Sequence, residues 1–206
     1  TSMVSEILLQ ADTDPTLSIG GILKSIDGNI RVGHSGYFVT EACEYTNSFL
    51  DFFPKIAVML NVEEDHMDFF KDIDDIRSSF HRFAALLPKD GALVINKNIE
   101  KMETITEGLS CNIITYSEVQ EADYSAANIA FDALGNASFD LVKYGENIGR
   151  IQLSVAGKHN VSNALSTIAV AELLNIDLDT IQKGLLSFTG TDRRFQYKGE
   201  RNGITI

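Results

Sequence analysis

The residues best equipped for chemistry lie in "NVEEDHMDFF", Asn61 to Phe70, where Glu63, Glu64, Asp65 and Asp68 surround His66 directly after the apolar run "KIAVML". If that run is a buried parallel strand, its carboxyl end is where α/β proteins hold their ligands. Glu41 ends a second such run, "YFVTEAC", and neighbouring strands open their ends onto a common crevice. A carboxylate and an imidazole meeting there could hold a divalent metal. The carboxylate suits magnesium and the imidazole suits manganese or zinc better, so ligand type leaves the ion undecided. The alternative gives Glu41 an ordinary ion pair and His66 a helix-capping role, and spacing alone leaves both open. Asp65 and Asp68 are candidate acceptors that would fix the imidazole, whereas Glu63 and Glu64 read as solvated acids.

A second constellation is "VAGKHNVSNALSTIAVAELL", in which Gly157 follows a strand pattern and a helix begins a few residues later. Lys158, His159, Asn160 and Asn163 then lie near a helix amino terminus, a place that suits an anion or the edge of a nucleobase. A phosphate-binding loop of the Walker type is excluded, because Gln152 stands where that pattern needs glycine and His159 where it needs serine or threonine. The competing reading makes Asn160 a helix cap and Asn163 a solvent-facing residue of the first turn. Finally, Arg193 and Arg194 in "FTGTDRRFQY" could fork onto phosphate oxygens or serve as ion-paired surface residues.

The elements that must position these groups follow from periodicity. "YFVTEAC", "KIAVMLNV", "GALVIN" and "NIITYS" read as short buried strands. Between the second and third, Ile73, Ile76, Phe80, Phe83 and Leu87 trace an amphipathic helix, with Asp72 as its cap and Pro88 and Gly91 marking its end. Residues 1–11 and two later stretches, Val161 to Ala171 and Leu178 to Phe188, also show helical spacing. Strands alternating with helices of this length imply an α/β fold, a mostly parallel sheet flanked by helices. Residues 121–156 instead alternate in twos, around turns placed at Gly135-Asn136 and Glu146-Asn147, and predict a small antiparallel β sheet within the body. "GITI" predicts a final strand.

Composition narrows the function. At 206 residues and 44% hydrophobic, the chain can build one sizeable core, and one domain over 1–206 is expected. A net charge of -12 with no cluster of basic and aromatic residues argues against a nucleic-acid partner. It does not exclude a nucleotide, which a local set of backbone amides and metal can hold. Two cysteines, Cys43 and Cys111, form no CxxC pattern, so neither a disulfide framework nor a zinc cluster is expected. With no apolar run long enough for a membrane span and no signal-peptide pattern, a cytoplasmic location is expected.

Taken together, "TEACEYTNSFLDFFPKIAVMLNVEEDHMDFF", "AGKHNVSNAL" and "GTDRRFQYKGERNGITI" resemble the central ATPase domain of the Mur ligases, in order and spacing, through nearly the whole chain. Within that family the resemblance leads to the branch that joins L-alanine to UDP-N-acetylmuramate, using ATP to convert a carboxylate into an acyl phosphate. It implies that Glu41 and His66 are ligands of Mg2+, that His159, Asn160 and Asn163 contact adenine, and that Arg194 contacts phosphate with Arg193 assisting. Manganese is compatible with the same ligands. The family's Gly-Lys-Thr loop precedes the stretch matching "TSMVSEIL", and its amino- and carboxy-terminal domains hold the uridine nucleotide and help clamp ATP. A piece lacking all three is expected to show no turnover and weak nucleotide binding. "SSFHRFAALL" has no lysine where some branches carry a carbamylated one, as the alanine-adding branch implies. A catalytically silent α/β binding module, and a sister ligase that recycles cell-wall peptides, are the alternative readings.

Overall fold

The computed structural model describes residues 1–191, 199–202 and 204–205. Its centre is a six-stranded sheet in the order β4 (Ile56–Met59), β5 (Ala92–Asn96), β6 (Asn112–Ser117), β7 (Tyr124–Phe131), β8 (Asn136–Lys143), β9 (Glu146–Ala156). The first four strands pair in parallel and the last three antiparallel. A three-stranded sheet, ordered β2 (Gly28–Arg31), β1 (Thr16–Leu23), β3 (Phe38–Thr40), precedes it in the chain.

The central strand β5 is apolar on both faces because helices cover both. On β5, Val94 enters one core with helix α4 (His159–Leu173), while Leu93 and Ile95 enter a second core with helix α2 (Ile73–Ala84). Such double coverage is the reason the run "ALVI" lacks any polar alternation. Ile105 of the short helix α3 (Met102–Thr106) closes the second core. Helix α1 (Ser2–Gln10) buries Met3, Ile7 and Leu8 and packs on α5 (Leu178–Ser187). Their closeness depends on Gly184, where a Cβ would fall 2.7 Å from the Ile7 Cα.

Helix α2 begins where the sequence places it, since the Asp72 carboxylate accepts the Asp75 amide at 2.9 Å. It ends earlier than Pro88: Leu86 and Leu87 bond to Phe83 and Ala84, a tightened exit from the last turn. The antiparallel region is present but is not a separate sheet, because β7 pairs with β6 and carries the hairpins on as an extension of the parallel strands. Its second turn falls at Tyr144-Gly145, both at positive φ, and not at Glu146-Asn147. A two-residue hairpin of this kind needs two left-handed residues, and Tyr144 accepts that conformation to keep Lys143 paired with Glu146. Residues 12–36, to which sequence reasoning assigns no element, hold β1 and β2. At the carboxyl end β11 (Ile204–Thr205), within "GITI", pairs with β10 (Glu200–Arg201).

The strand ends carrying Glu41 and His66 are not partners in one ladder. β3 pairs with β1 in the smaller sheet, and β4 pairs with β5 in the larger.

Candidate functional site

His66 sits in the loop that leaves β4, with a left-handed backbone (φ 53). The Asp65 carboxylate accepts the His66 amide at 2.7 Å, and the His66 carbonyl accepts the amides of Phe69 and Phe70, so residues 65–70 form one compact turn. The imidazole stacks on Tyr45 with ring centroids 4.5 Å apart. Its Nε2 lies 3.5 Å from Glu44 Oε1 and its Nδ1 3.9 Å from Asp65 Oδ1. Tyr45 in turn donates to Asp68 at 2.7 Å, a bond that holds the Asp68 carboxyl below the usual carboxylate range and pushes the phenol up. The 3-10 turn bearing Tyr45, Tyr45–Asp51, is anchored on α2 by Asn47, whose side-chain oxygen accepts from Ser79 and Arg82.

Glu44, Asp65 and His66 therefore bring two carboxylate oxygens and an imidazole nitrogen within 4.8 Å of one another, the grouping of this kind found among the described residues. Beside them is a cleft of about 170 Å³ lined by Glu44, Asn61, Glu63, Glu64 and Asp65, with Phe70 and Phe80 at its apolar wall. Two carboxylate oxygens with one imidazole nitrogen could hold a divalent cation, and this ligand set leaves Mg2+, Mn2+ and Zn2+ open. Glu63 and Glu64, read from sequence as merely solvated, are exposed yet line this cleft.

Glu41 occupies a different place. Its amide donates to the Ser18 carbonyl at 3.2 Å, extending the β1–β3 pairing, and its carboxylate lies over Gly20. The group of ligand atoms at His66 contains Glu44 and not Glu41. Sequence reasoning did not single out Glu44, though the repeat of glutamate three positions on in "EACE" is a signal it could have used.

The second constellation is brought to the same rim. Asn96, at the end of β5, donates from Nδ2 to the Leu60 carbonyl just past β4 at 3.0 Å and lies 3.4 Å from Ser162 Oγ in the first turns of α4. The helix cap position is Lys158, so Asn160 is not the cap: its side-chain Nδ2 donates back to the Ala156 carbonyl at 2.8 Å. Asn163 donates to Asn160 Oδ1 at 3.1 Å, which joins the two side chains. Gly157, at φ 105, lets the exposed His159 ring fold over its Cα, and a Cβ there would lie 2.6 Å from the ring. Arg193 and Arg194 lie outside the described residues. Ahead of them, Thr189 Oγ1 lies 3.4 Å from the Nζ of Lys24, the residue that follows β1.

A mostly parallel sheet between helices, with acidic and amide side chains gathered at the carboxyl ends of its strands, makes this an α/β domain with its candidate site where such folds hold their ligands. The Mur ligase middle domain family matches residues 2–171, and the chain belongs to that family. It is 53% identical over its whole length to the UDP-N-acetylmuramate--L-alanine ligase of Lachnospira eligens, of which it covers 45%. Among solved structures it is similar to the UDP-N-acetylmuramate-alanine ligase MurC from Thermotoga maritima, at 26% identity and TM-score 0.84 over 98% of this chain and 44% of that one. Likeness extends to the UDP-N-acetylmuramate:L-alanyl-gamma-D-glutamyl-meso-diaminopimelate ligase from Neisseria meningitides, at 28% identity and TM-score 0.82 over 93% of this chain and 63% of that one. The chain thus spans about half the length of the curated relatives it matches. No described helix is long and apolar enough to cross a membrane.

Proposed function

We propose that this chain is the ATP-binding central domain of a longer ligase that joins L-alanine to UDP-N-acetylmuramate in peptidoglycan synthesis, in the cytoplasm. The observation that carries the reading is the 53% identity, over the entire chain, to a ligase named for that reaction. The cation-type cleft at the rim of the sheet supports it independently.

ATP with Mg2+ supplies the phosphoryl group that activates the acceptor carboxylate and the positive charge that offsets the phosphate oxygens. The chain's own residues bind and orient. His66, with Asp65 against the imidazole, would hold the cation from the β4 side, and Glu44 and Glu41 would do so from the β3 side. Tyr45 keeps the imidazole from rotating by covering its face. His159, Asn160 and Asn163 offer amide and imidazole edges to the adenine, and Arg194 offers a guanidinium to phosphate oxygens. The remaining domains of the longer chain would bring the uridine nucleotide and the amino acid, and the isolated domain would not turn over.

The test is ATP-dependent phosphate release by the protein of the relatives' full length, with UDP-N-acetylmuramate and each of several amino acids. Alanine-dependent turnover is expected, falling at least ~100-fold in Glu41→Ala and in His66→Ala. Wild-type rates in both variants would remove these residues from the reaction. The likeness to the Neisseria protein supports a second reading, a ligase that takes a preformed peptide; turnover with the tripeptide and none with alanine would favour it.

A further inference from the structure

We propose that Gly20 is a positioning residue for the Glu41 carboxylate, a role that rests on the reading of Glu41 as a metal ligand. Along β1, Leu17 and Ile19 are buried in the core, so Ser18 and Gly20 face the opposite side of the strand. The register Ser18↔Thr40 puts residue 41 one step beyond this pair, and the Glu41 side chain turns back across Gly20. A Cβ at position 20 would lie 3.1 Å from the Glu41 Cδ, 3.5 Å from Oε1 and closer still to Oε2. The three nearest atoms all belong to that one carboxylate, and none is backbone.

Conformation is not what requires glycine here. Gly20 lies outside the left-handed region, so alanine fits its backbone, and the atoms a Cβ would meet belong to a movable side chain, whereas at Gly33 a Cβ would meet the main chain of Asp14 and Pro15. A methyl group at position 20 therefore expels the carboxylate while leaving the strand free to form. The bare Cα is a seat, and its effect falls on the direction in which Glu41 offers its oxygens. A Cβ at Gly21, one residue on, would have Thr191 as its nearest neighbour at 3.2 Å, and its three nearest atoms all belong to that residue and none to Glu41. Alanine at position 21 is thus a control for the general cost of replacing a strand glycine.

The experiment uses the protein of the relatives' full length and titrates Mn2+ in the presence of a non-hydrolysable ATP analogue. Free Mn2+ is read from its six-line electron paramagnetic resonance signal, with thermal melts by circular dichroism alongside. Gly20→Ala is expected to weaken Mn2+ binding about tenfold and Gly21→Ala less than about twofold, the scale on which supporting residues act on a metal site. Because the two groups are in contact, Gly20→Ala added to Glu41→Ala is expected to change nothing further. Weakened binding in Glu41→Ala with wild-type binding in Gly20→Ala would overturn the positioning role alone, as would a further loss from Gly20→Ala when Glu41 is already absent. Wild-type binding in Glu41→Ala would overturn the ligand reading and the positioning role together.

Discussion

The imidazole of His66 lies flat on the phenol of Tyr45, ring centroids 4.5 Å apart and planes 27° from parallel. Twenty-one positions of sequence separate them, and the contact joins the loop after β3 to the loop after β4. Two sheets that share no ladder are thereby linked at the candidate metal cleft.

Replacing Tyr45 should separate two effects. Tyr45→Phe keeps the stacked face and loses only the bond to Asp68, whereas Tyr45→Ala frees the imidazole. An aromatic pair contributes roughly 0.5–1.5 kcal/mol beyond its buried area. Mn2+ affinity is expected to fall by about two- to tenfold in Tyr45→Ala and by less in Tyr45→Phe. Equal losses in both variants would make the hydrogen bond, not the stacking, the controlling contact.

Gly184 tests the packing of α1 on α5. A Cβ there would meet backbone and side chain of Ile7 at 2.7 Å, and backbone cannot swing aside. Gly184→Ala is expected to cost about 1–3 kcal/mol, read as a lower urea midpoint at unchanged slope. An unchanged midpoint would mean that the helices separate more easily than their contact implies.

The start of β1 carries a pH-dependent tie. Arg31 donates to Asp14 at 2.5 Å, and that bond, followed by those from the His34 amide and ring, lowers the Asp14 carboxyl from 3.8 to about 2. A depressed folded-state value contributes stability that is present above the unfolded value and lost as pH falls through the folded one. The stability gap between wild type and Asp14→Asn should therefore be full above about pH 5 and close as pH falls toward 2, when measured by urea unfolding. A gap that is constant across this window would assign the effect to hydrogen bonding alone.

Sequence made some of these relations visible and hid others, for physical reasons. Helix α2 was legible because its apolar spacing and its Asp72 cap are local signals. β5 was legible because a strand covered on both faces is apolar throughout. β1 escaped because Gly20 and Gly21 interrupt its alternation, and a Cβ at either would meet a distant side chain, Glu41 or Thr191, that no local signal announces. The hairpin turn moved to Tyr144-Gly145 because pairing across β8 and β9 outweighs the reluctance of tyrosine to take a positive φ. His66 was recognisable from its position after a strand, whereas Glu44 carried only the faint signal of a second glutamate in "EACE", since its meeting with His66 depends on Tyr45 bringing one loop onto another. Resemblance supplied the family, which composition and periodicity did not.

A divalent ion held by the imidazole at the end of β4 is the centre of the proposed site. Electron spin-echo spectroscopy of Mn2+, bound with a non-hydrolysable ATP analogue to the protein of the relatives' full length, reads that bond directly. Modulation from an imidazole nitrogen is predicted in wild type and its loss in His66→Gln. Nitrogen modulation that persists unchanged in His66→Gln, or is missing from wild type with Mn2+ bound, would contradict the account.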